Sequence, residues 1–497
     1  MKVLLVHPGP LMYNRVFLRL EPLGLELVAD ALRRAGHAVQ LIDLQIFRHR
    51  DYFRLVQSWQ PEAIGFCLNY LANVPEVLDL AQKSKQLQPG CFVFVGGHSV
   101  SFIAEEVVGQ SAGAVDCALR GEGEVGGPLL LAALEDGTLE QVPGVVTRRG
   151  AGPPPTLLAS PDRFRPARDL LRRRRRYFLG PLDPCASIEL SRGCPWQCAF
   201  CSAWTFYSRT YRKVSPEAAV DQLRTIPEPN VYITDDVAFV DPDHGMAVAE
   251  AVQRAGIRKG WYLETRADVL LRNRPVFARW KDLGLKYMFL GIEALDDRSL
   301  KDFRKHSTTA AHAEALHVAR KLGIHVAVNI IAEPTWDRGQ FERLRQWAMA
   351  VPEIVHLTVK TPYPGTEIWG RESHRVTTLD YRLFDVQHAV LPTALPLHEF
   401  YRELVLTQSV LARKHMGLRA LKGAAGIAVG CLLRGQTNFV RMLWRFSAAY
   451  HADRLYADHH RPVRHQLRAP RRTDPRYRCA QTLLVHSLPA APPARTA

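Results

Sequence analysis

Apolar residues in this chain gather into short, nearly unbroken runs, and the runs recur in two series. Over residues 1–150 they fall at Val3–Val6, Val39–Ile42, Ala63–Cys67, Phe92–Val95 and Asp116–Leu119, separated by amphipathic stretches such as Leu23–Arg34 and Pro75–Leu87. A run that is apolar at every position suits a strand covered on both faces, and strands alternating with helices predict a doubly wound, Rossmann-like α/β domain. Residues 151–184 break the rhythm with Pro153-Pro154-Pro155 and read as a linker. The alternation resumes over 185–362, with strands expected at Ser187–Leu190, Val231–Thr234, Trp261–Thr265, Tyr287–Ile292, Val326–Ile331 and Val355–Val359. Six such βα repeats predict a partial (β/α)6 barrel whose chemistry collects at the strand carboxyl ends. Residues 363–466 read as a mostly helical region, clearest at Glu399–His415, with Leu379–Leu391 open between helix and strand. The Pro-, Arg- and Ala-rich stretch 467–497 is expected to be a disordered tail.

Composition narrows the class. At 497 residues and 47% hydrophobic the chain can fill several cores. No apolar run approaches the ~18 residues of a membrane span, and the first eight residues read as a strand rather than a secretory leader, so the cytoplasm is the expected compartment. The net charge is +16 and unevenly placed: fifteen Lys/Arg face three Asp between Arg413 and Arg478, and Arg172–Arg176 is an unbroken arginine run. Such blocks serve as a solvated face or as a surface for anionic membrane or nucleic acid. An RNA-binding reading is disfavoured because the basic tail lacks the stacking aromatics of a recognisable RNA module. The expectation is therefore peripheral contact with the inner face of an anionic membrane and no nucleic acid.

The candidate chemistry sits just after the first strand of the second series. Cys194, Cys198 and Cys201 form C-x3-C-x2-C within Arg192-Gly193-Cys194-Pro195-Trp196-Gln197-Cys198-Ala199-Phe200-Cys201. Zinc takes four closed ligands, commonly as two spaced pairs, and only Cys185 lies nearby. Nine cysteines in a long chain without a secretory leader do not make a disulfide framework. Three thiolates this close suit three irons of a [4Fe–4S] cubane and leave the fourth iron open. In the first series, Gly96-Gly97-His98-Ser99 and Arg120-Gly121-Glu122-Gly123-Glu124 follow successive strands, where ligands of doubly wound sheets bind.

With Phe200 before the last cysteine, the triplet resembles the radical S-adenosylmethionine (SAM) superfamily, and the later strand ends Thr234-Asp235-Asp236, Glu264-Thr265-Arg266-Ala267-Asp268 and Gly291-Ile292-Glu293-Ala294 resemble its cofactor-side positions. The resemblance implies cluster ligands Cys194, Cys198 and Cys201, SAM contacts at Phe200, Asp235, Asp236, Glu264, Arg266 and Glu293, and an external one-electron donor. Residues 1–150 resemble the cobalamin-binding domain that precedes this barrel in one large subclass, through Pro61–Cys67, Val95–His98 and Asp116–Glu124. No D-x-H-x-x-G segment is present, so the implied cobalamin has no histidine from that motif below its cobalt; its neighbours are expected among Tyr13, Asn14, Asn69, Tyr70, Gly96, Gly97, His98, Gly121 and Glu122. Through Phe17–Leu27, Cys201–Tyr207 and Asn438–Trp444 the chain resembles the hopanoid C-3 methylases. That likeness implies methylation of an unactivated sp3 carbon of a hopanoid lipid by way of methylcobalamin. A cobalamin-dependent radical SAM cyclase or methylase of a tetrapyrrole or other natural product is the alternative. The aromatics Trp196, Trp204, Phe206 and Tyr207 serve either an apolar substrate pocket or packing at the barrel mouth.

Overall fold

A computed structural model describes residues 1–414, 418–446 and 450–468; within these, nothing is described of the side chains of residues 13–15, 418–422 and 446. The first series forms a six-stranded sheet from β1 (Lys2–His7), β2 (Ala38–Asp43), β3 (Ala63–Cys67), β4 (Phe92–Gly96), β5 (Cys117–Leu119) and β6 (Val145–Thr147). The order is β2-β1-β3-β4-β5-β6. All neighbours are parallel except β5 and β6, the antiparallel edge that the apolar pattern did not announce. The order reverses between β1 and β3, which makes their carboxyl ends the crevice for a ligand. Apolar layers cover both faces, as the unbroken runs predict.

The second series forms β7 (Cys185–Ile188), β8 (Asn230–Ile233), β9 (Gly260–Arg266), β10 (Leu285–Glu293), β11 (His325–Ala332) and β12 (Ile354–Val359). They lie in sequential order and are parallel throughout, an open six-stranded partial barrel. The strands alternate more sharply than their composition suggests. Ala186, Ile188, Val231, Ile233, Leu263, Met288, Leu290, Val326, Val328 and Leu357 pack outward into the main core. The intervening positions Tyr232, Tyr262, Tyr287 and Phe289 form ring contacts among themselves or with His325 and His356. The other face of the barrel sheet is thus aromatic and polar.

The segment expected to be a linker is packed. Leu157, Leu158, Phe164, Leu171, Tyr177 and Phe178 are buried, and Phe178–Leu179 pairs antiparallel with Leu18–Arg19. The arginine run within it is not a free basic face. Arg174 binds Glu228 at 2.7 Å, the Arg173 guanidinium lies 4.8 Å over the Phe47 ring, and the Arg176 carbonyl accepts from Arg19. Leu379–Leu391 carries one short 3-10 turn, Tyr381–Leu383. The long C-terminal helix runs Leu397–Lys414, and three shorter ones follow among the described residues, Leu418–Leu433, Asn438–Phe446 and Ala452–Asp458. The tail expected to be disordered starts in contact: Leu467 is buried and its N–H donates to the Leu379 carbonyl at 2.7 Å, while residues 469–497 lie outside the described part. Among the described residues no helix is long and apolar enough to cross a membrane.

One buried carboxyl beside the linker has a measurable consequence. Glu26, on the helix Leu23–Arg34, is fully buried, and neither carboxyl oxygen has a hydrogen-bond partner; Arg168 approaches to 3.5 Å. Burial, then the neighbouring Glu21 carboxylate, pushes its pKa from 4.5 up to about 8. The native state therefore keeps a proton that the unfolded chain has lost. This contribution to stability is complete below pH ~4.5 and is lost as pH rises towards ~8, at most about 5 kcal/mol. Urea unfolding of Glu26→Gln at a series of pH values should show a shallower decline over this window than the parent chain; equal slopes would refute the assignment.

Candidate functional site

The cysteine loop leaves β7 and is tied down at several points. The Leu190 N–H donates to Asp235 Oδ1 at 2.7 Å, and the Ser191 hydroxyl donates to the other oxygen of the same carboxylate. The Gly193 N–H donates to Asp236 Oδ2 at 3.1 Å. Gly193 is needed here: its φ is +96°, and a Cβ would stand 2.2 Å from the Thr210 carbonyl oxygen. Further along, the Ala199 N–H donates to the Phe303 carbonyl, the Ile368 N–H to the Ala199 carbonyl, and the Trp204 indole to the Cys198 carbonyl. A loop held this way presents its thiols from a fixed backbone.

The thiols lie near enough that Cys201 feels the charge of Cys198 and Cys194, and Cys194 that of Cys198. Burial, the leading cause, pushes the Cys194 thiol up to about 11 and Cys201 higher still. Among the described residues no three His, Cys, Asp or Glu side chains could hold a single metal ion. A cubane asks for something else, one iron per thiolate, and these three donors on one loop fit it. Arg266, from the end of β9, donates to Cys198 Sγ at 3.4 Å, and its guanidinium lies 4.6 Å over the Trp196 ring. It also donates to Asp268 and to the Lys305 carbonyl. An N–H aimed at a sulfur stabilises the thiolate and helps set a cluster's potential.

Acidic side chains follow one another across the strand ends. Glu189 raises the Asp236 carboxyl, Glu264 adds to that effect, and Glu293 raises Glu264 in turn, so four carboxylates from β7 to β10 share one field. Burial is the first cause in each case and takes Asp236 up to about 6. Asp236 is exposed to a water-sized probe although its carboxylate accepts from the cysteine loop. Asp235 is 3% exposed, and both its oxygens are taken by the cysteine loop across from it. Glu264 accepts from the Tyr232 hydroxyl at 2.6 Å. Glu293 sits at a bulge with φ +62°, pairs with Lys305 at 3.0 Å and accepts from Asn329 at 3.4 Å. Phe200 packs edge-on to Phe303, with Lys305 5.8 Å from its ring.

Opposite the barrel, the carboxyl ends of β1, β3, β4 and β5 open on a cavity of about 390 Å3. Its walls include His7, Cys67, Asn69, Tyr70, Gly96, Gly97, His98, Gly121 and Glu122 from the first domain and Glu189, Arg192, Phe206, Tyr207 and Thr234 from the barrel side. Of the residues expected around cobalamin, all but Tyr13 and Asn14 line it; the side chains of those two lie outside the described residues. His98 does not stand free within it. Its Nε2 lies 2.7 Å from the Ser202 hydroxyl, its ring stacks on Phe206 at 4.7 Å, and burial takes its pKa down to about 4. Phe206 and Tyr207 therefore border this cavity, whereas Trp196 and Trp204 brace the cysteine loop.

Glu122 has a role that the glycine-rich context hid. It is 4% exposed and accepts from Arg192 at 2.7 Å, from Arg212 at 2.8 Å and from the Leu158 N–H at 2.6 Å. Arg192, two residues before Cys194, also binds Glu124 at 2.9 Å and Glu189 at 2.8 Å. Burial opposes ionisation of Glu122, but its two arginines outweigh it and hold the carboxyl below the usual range, while burial leaves Glu124 above it. One guanidinium thus joins the loop after β5 to the cysteine loop after β7. Motif reading passed over Arg192, Glu189, Lys305 and the lumen tyrosines. The tyrosines had left a period-two signal in Tyr262-Leu263-Glu264 and Tyr287-Met288-Phe289.

The family comparisons agree with this geometry. Residues 188–348 match the radical SAM superfamily and residues 11–131 the B12 binding domain. The chain is therefore a two-domain radical SAM protein with a B12-binding domain ahead of its barrel. The solved structures of TsrM from Kitasatospora setae, a radical SAM methyltransferase captured with tryptophan and a SAM analogue, and of the cobalamin-dependent OxsB share this fold. Each has a TM-score of 0.59 at 18% identity; the matches cover 76% of this chain and 77% of TsrM, and 72% of this chain and 53% of OxsB. In sequence, the chain is 57% identical to the hopanoid C-3 methylase of Methylococcus capsulatus over 98% of its own length and 95% of that protein's, and it belongs to that family. The anaerobic magnesium-protoporphyrin IX monomethyl ester cyclase of Synechocystis is 26% identical, covering 79% of this chain and 81% of the cyclase.

Proposed function

We propose that this protein methylates C-3 of a hopanoid, with the cysteine loop, the acidic strand ends and the cavity between the domains acting on one substrate carbon. The observation that carries the reading is the near-full-length identity to the Methylococcus capsulatus protein. It is supported by a cavity whose walls come from both α/β domains. The tetrapyrrole alternative rests on relatives at 26% identity or less.

In this reading Cys194, Cys198 and Cys201 hold the cluster, and Arg266 steadies Cys198. Asp236, Glu264 and Glu293 would line the SAM site, since its sulfonium and ammonium charges suit an acidic setting, and Lys305, paired with Glu293, would be the cation nearest its carboxylate. Asp235 is a positioning residue of the loop. Gly96, Gly97, Gly121 and their neighbours border the cobalamin. When bound, SAM and the cluster supply hydrogen abstraction, and the cobalamin supplies the methyl group. The chain's own part is placement. A hopanoid ring system offers no acidic or nucleophilic carbon, so selectivity comes from which carbon is held towards the inter-domain cavity. The aromatic lumen of Tyr232, Tyr262, Tyr287 and Phe289 gives apolar rings a surface with few polar anchors.

Expression with cobalamin in an anaerobic host that makes unmethylated hopanoids should yield 3-methylhopanoids by mass spectrometry. Unchanged lipids despite verified iron and cobalamin loading would reject the substrate.

A further inference from the structure

The segment Asn438-Phe439-Val440-Arg441-Met442-Leu443-Trp444 has no part in the chemistry above, although it is one of the stretches by which the sequence declares its kinship. It forms the helix Asn438–Phe446, joined by a short turn to the helix Leu418–Leu433, with which it is in contact. The turn is fixed to the body of the protein. The Asn438 side chain donates to Asp183 Oδ1 at 2.9 Å, the Phe439 N–H donates to Asp183 Oδ2 at 3.1 Å, and Cys431 and Phe439 are buried. The far side of the same pair is apolar and open: Leu433 is 84% exposed and Trp444 79%, with Val429, Leu432 and Leu443 about half exposed.

Exposed arginines sit among these residues, namely Arg434, Arg441 and Arg445. Their field reaches the body of the protein. Burial, then Arg441, Arg173 and Arg445, lowers the proton affinity of Arg176. The helix Asn438–Phe446 also touches the helix Met12–Phe17, whose last residue meets the ring of His356, on β12, edge-on at 6.1 Å. A cavity of about 500 Å3 opens between these elements, its walls combining Leu11, Met12 and Leu455 with charged groups, among them Asp385, Arg445 and Asp458.

We propose that this helix pair is a docking surface for an anionic bilayer, seating Leu433, Leu443 and Trp444 at the headgroup–acyl boundary while Arg441 and Arg445 pair with lipid phosphates. Apolar residues mixed with arginine and tryptophan on one amphipathic helix are the chemistry of interfacial binding. A second copy of the chain is a poorer occupant, because a self-complementary contact would press like-charged arginines together. Nucleic acid has no use for Leu433 and Leu443. The proposal rests on the hopanoid reading only in that a lipid substrate gives docking its purpose.

The test is co-sedimentation of the full-length protein with vesicles of phosphatidylglycerol and phosphatidylcholine, or of phosphatidylcholine alone. At ~1 kcal/mol per basic residue, Arg441→Gln/Arg445→Gln should weaken binding to the anionic vesicles about 30-fold. Leu443→Ser/Trp444→Ser should weaken it about 10-fold or more. Salt near ~0.5 M should release the parent chain. Both variants should keep the parent unfolding temperature and its methylation of detergent-dispersed hopanoid. Failure of the parent to bind anionic vesicles, or binding unchanged in both variants, would overturn the proposal. So would a Trp444-dependent dimer, or RNA binding, without vesicle binding. Vesicle binding with no methylation of any hopanoid would instead count against the substrate and leave the docking surface standing.

Discussion

Replacing Cys198 with alanine is expected to abolish 3-methylhopanoid formation and to strip iron from the reconstituted protein, while the chain stays folded. The loop is held mainly by the Asp235 and Asp236 carboxylates, by backbone hydrogen bonds and by the Trp204 indole, and the Cys198 sulfur accepts only from Arg266, so the variant loses a cluster ligand and keeps its frame. Two remaining thiolates cannot hold a cubane that three hold with one iron open. Replacing Cys91, buried in the first domain, serves as the control. Cys91→Ala should cost only about 1 kcal/mol of stability and leave product and iron content near the parent values. Iron assays and lipid mass spectrometry on the two variants, side by side, check this. Full activity in Cys198→Ala would end the assignment of the loop.

Arg192→Met is expected to show the second-largest effect, through a different cause. Arg192 is the shared counter-charge of Glu122, Glu124 and Glu189, at 6% exposure. Removing one partner of a buried ionic set leaves uncompensated charge and costs about 3–5 kcal/mol. A lowered midpoint of denaturant unfolding should report that cost. The functional readout is more specific. Because this guanidinium joins the loop after β5 to the cysteine loop, its loss should loosen the cobalamin domain against the barrel. Methyl transfer should then fall further than SAM cleavage, raising the ratio of 5′-deoxyadenosine to methylated lipid. Arg192→Lys keeps the charge but not the forked geometry and should fall between the two. An unchanged ratio in Arg192→Met would make the network purely structural.

How much of this was open to a reader of the sequence follows from what each signal encodes. Strands covered on both faces write themselves as apolar runs, and eleven strand positions were legible to within two residues at either end. The short antiparallel β6, only three residues long, carried too little pattern to stand out. The linker misled because prolines and arginines suggest exposure, while Leu157, Phe164, Tyr177 and Arg168 are buried through contacts distant in sequence. The cysteine spacing was explicit because all three donors lie in one loop. The role of Arg192 was not, since its pairs with Glu122 and Glu124 join residues about seventy positions apart and leave no local trace. Asp235 shows the converse: neighbouring acids looked equivalent in sequence, and only the fold separates Asp235, buried with both oxygens bound to the cysteine loop, from Asp236, which accepts one bond from that loop and is exposed to a water-sized probe.

The account depends most on one enzyme joining SAM cleavage to methylation of a hopanoid carbon. The direct measurement uses anaerobically purified protein, loaded with iron and cobalamin and given reductant, SAM and an unmethylated hopanoid, and follows 5′-deoxyadenosine and 3-methylhopanoid together. Both should appear and rise in step. Neither product from fully loaded protein, or deoxyadenosine without any methylated hopanoid, would contradict it.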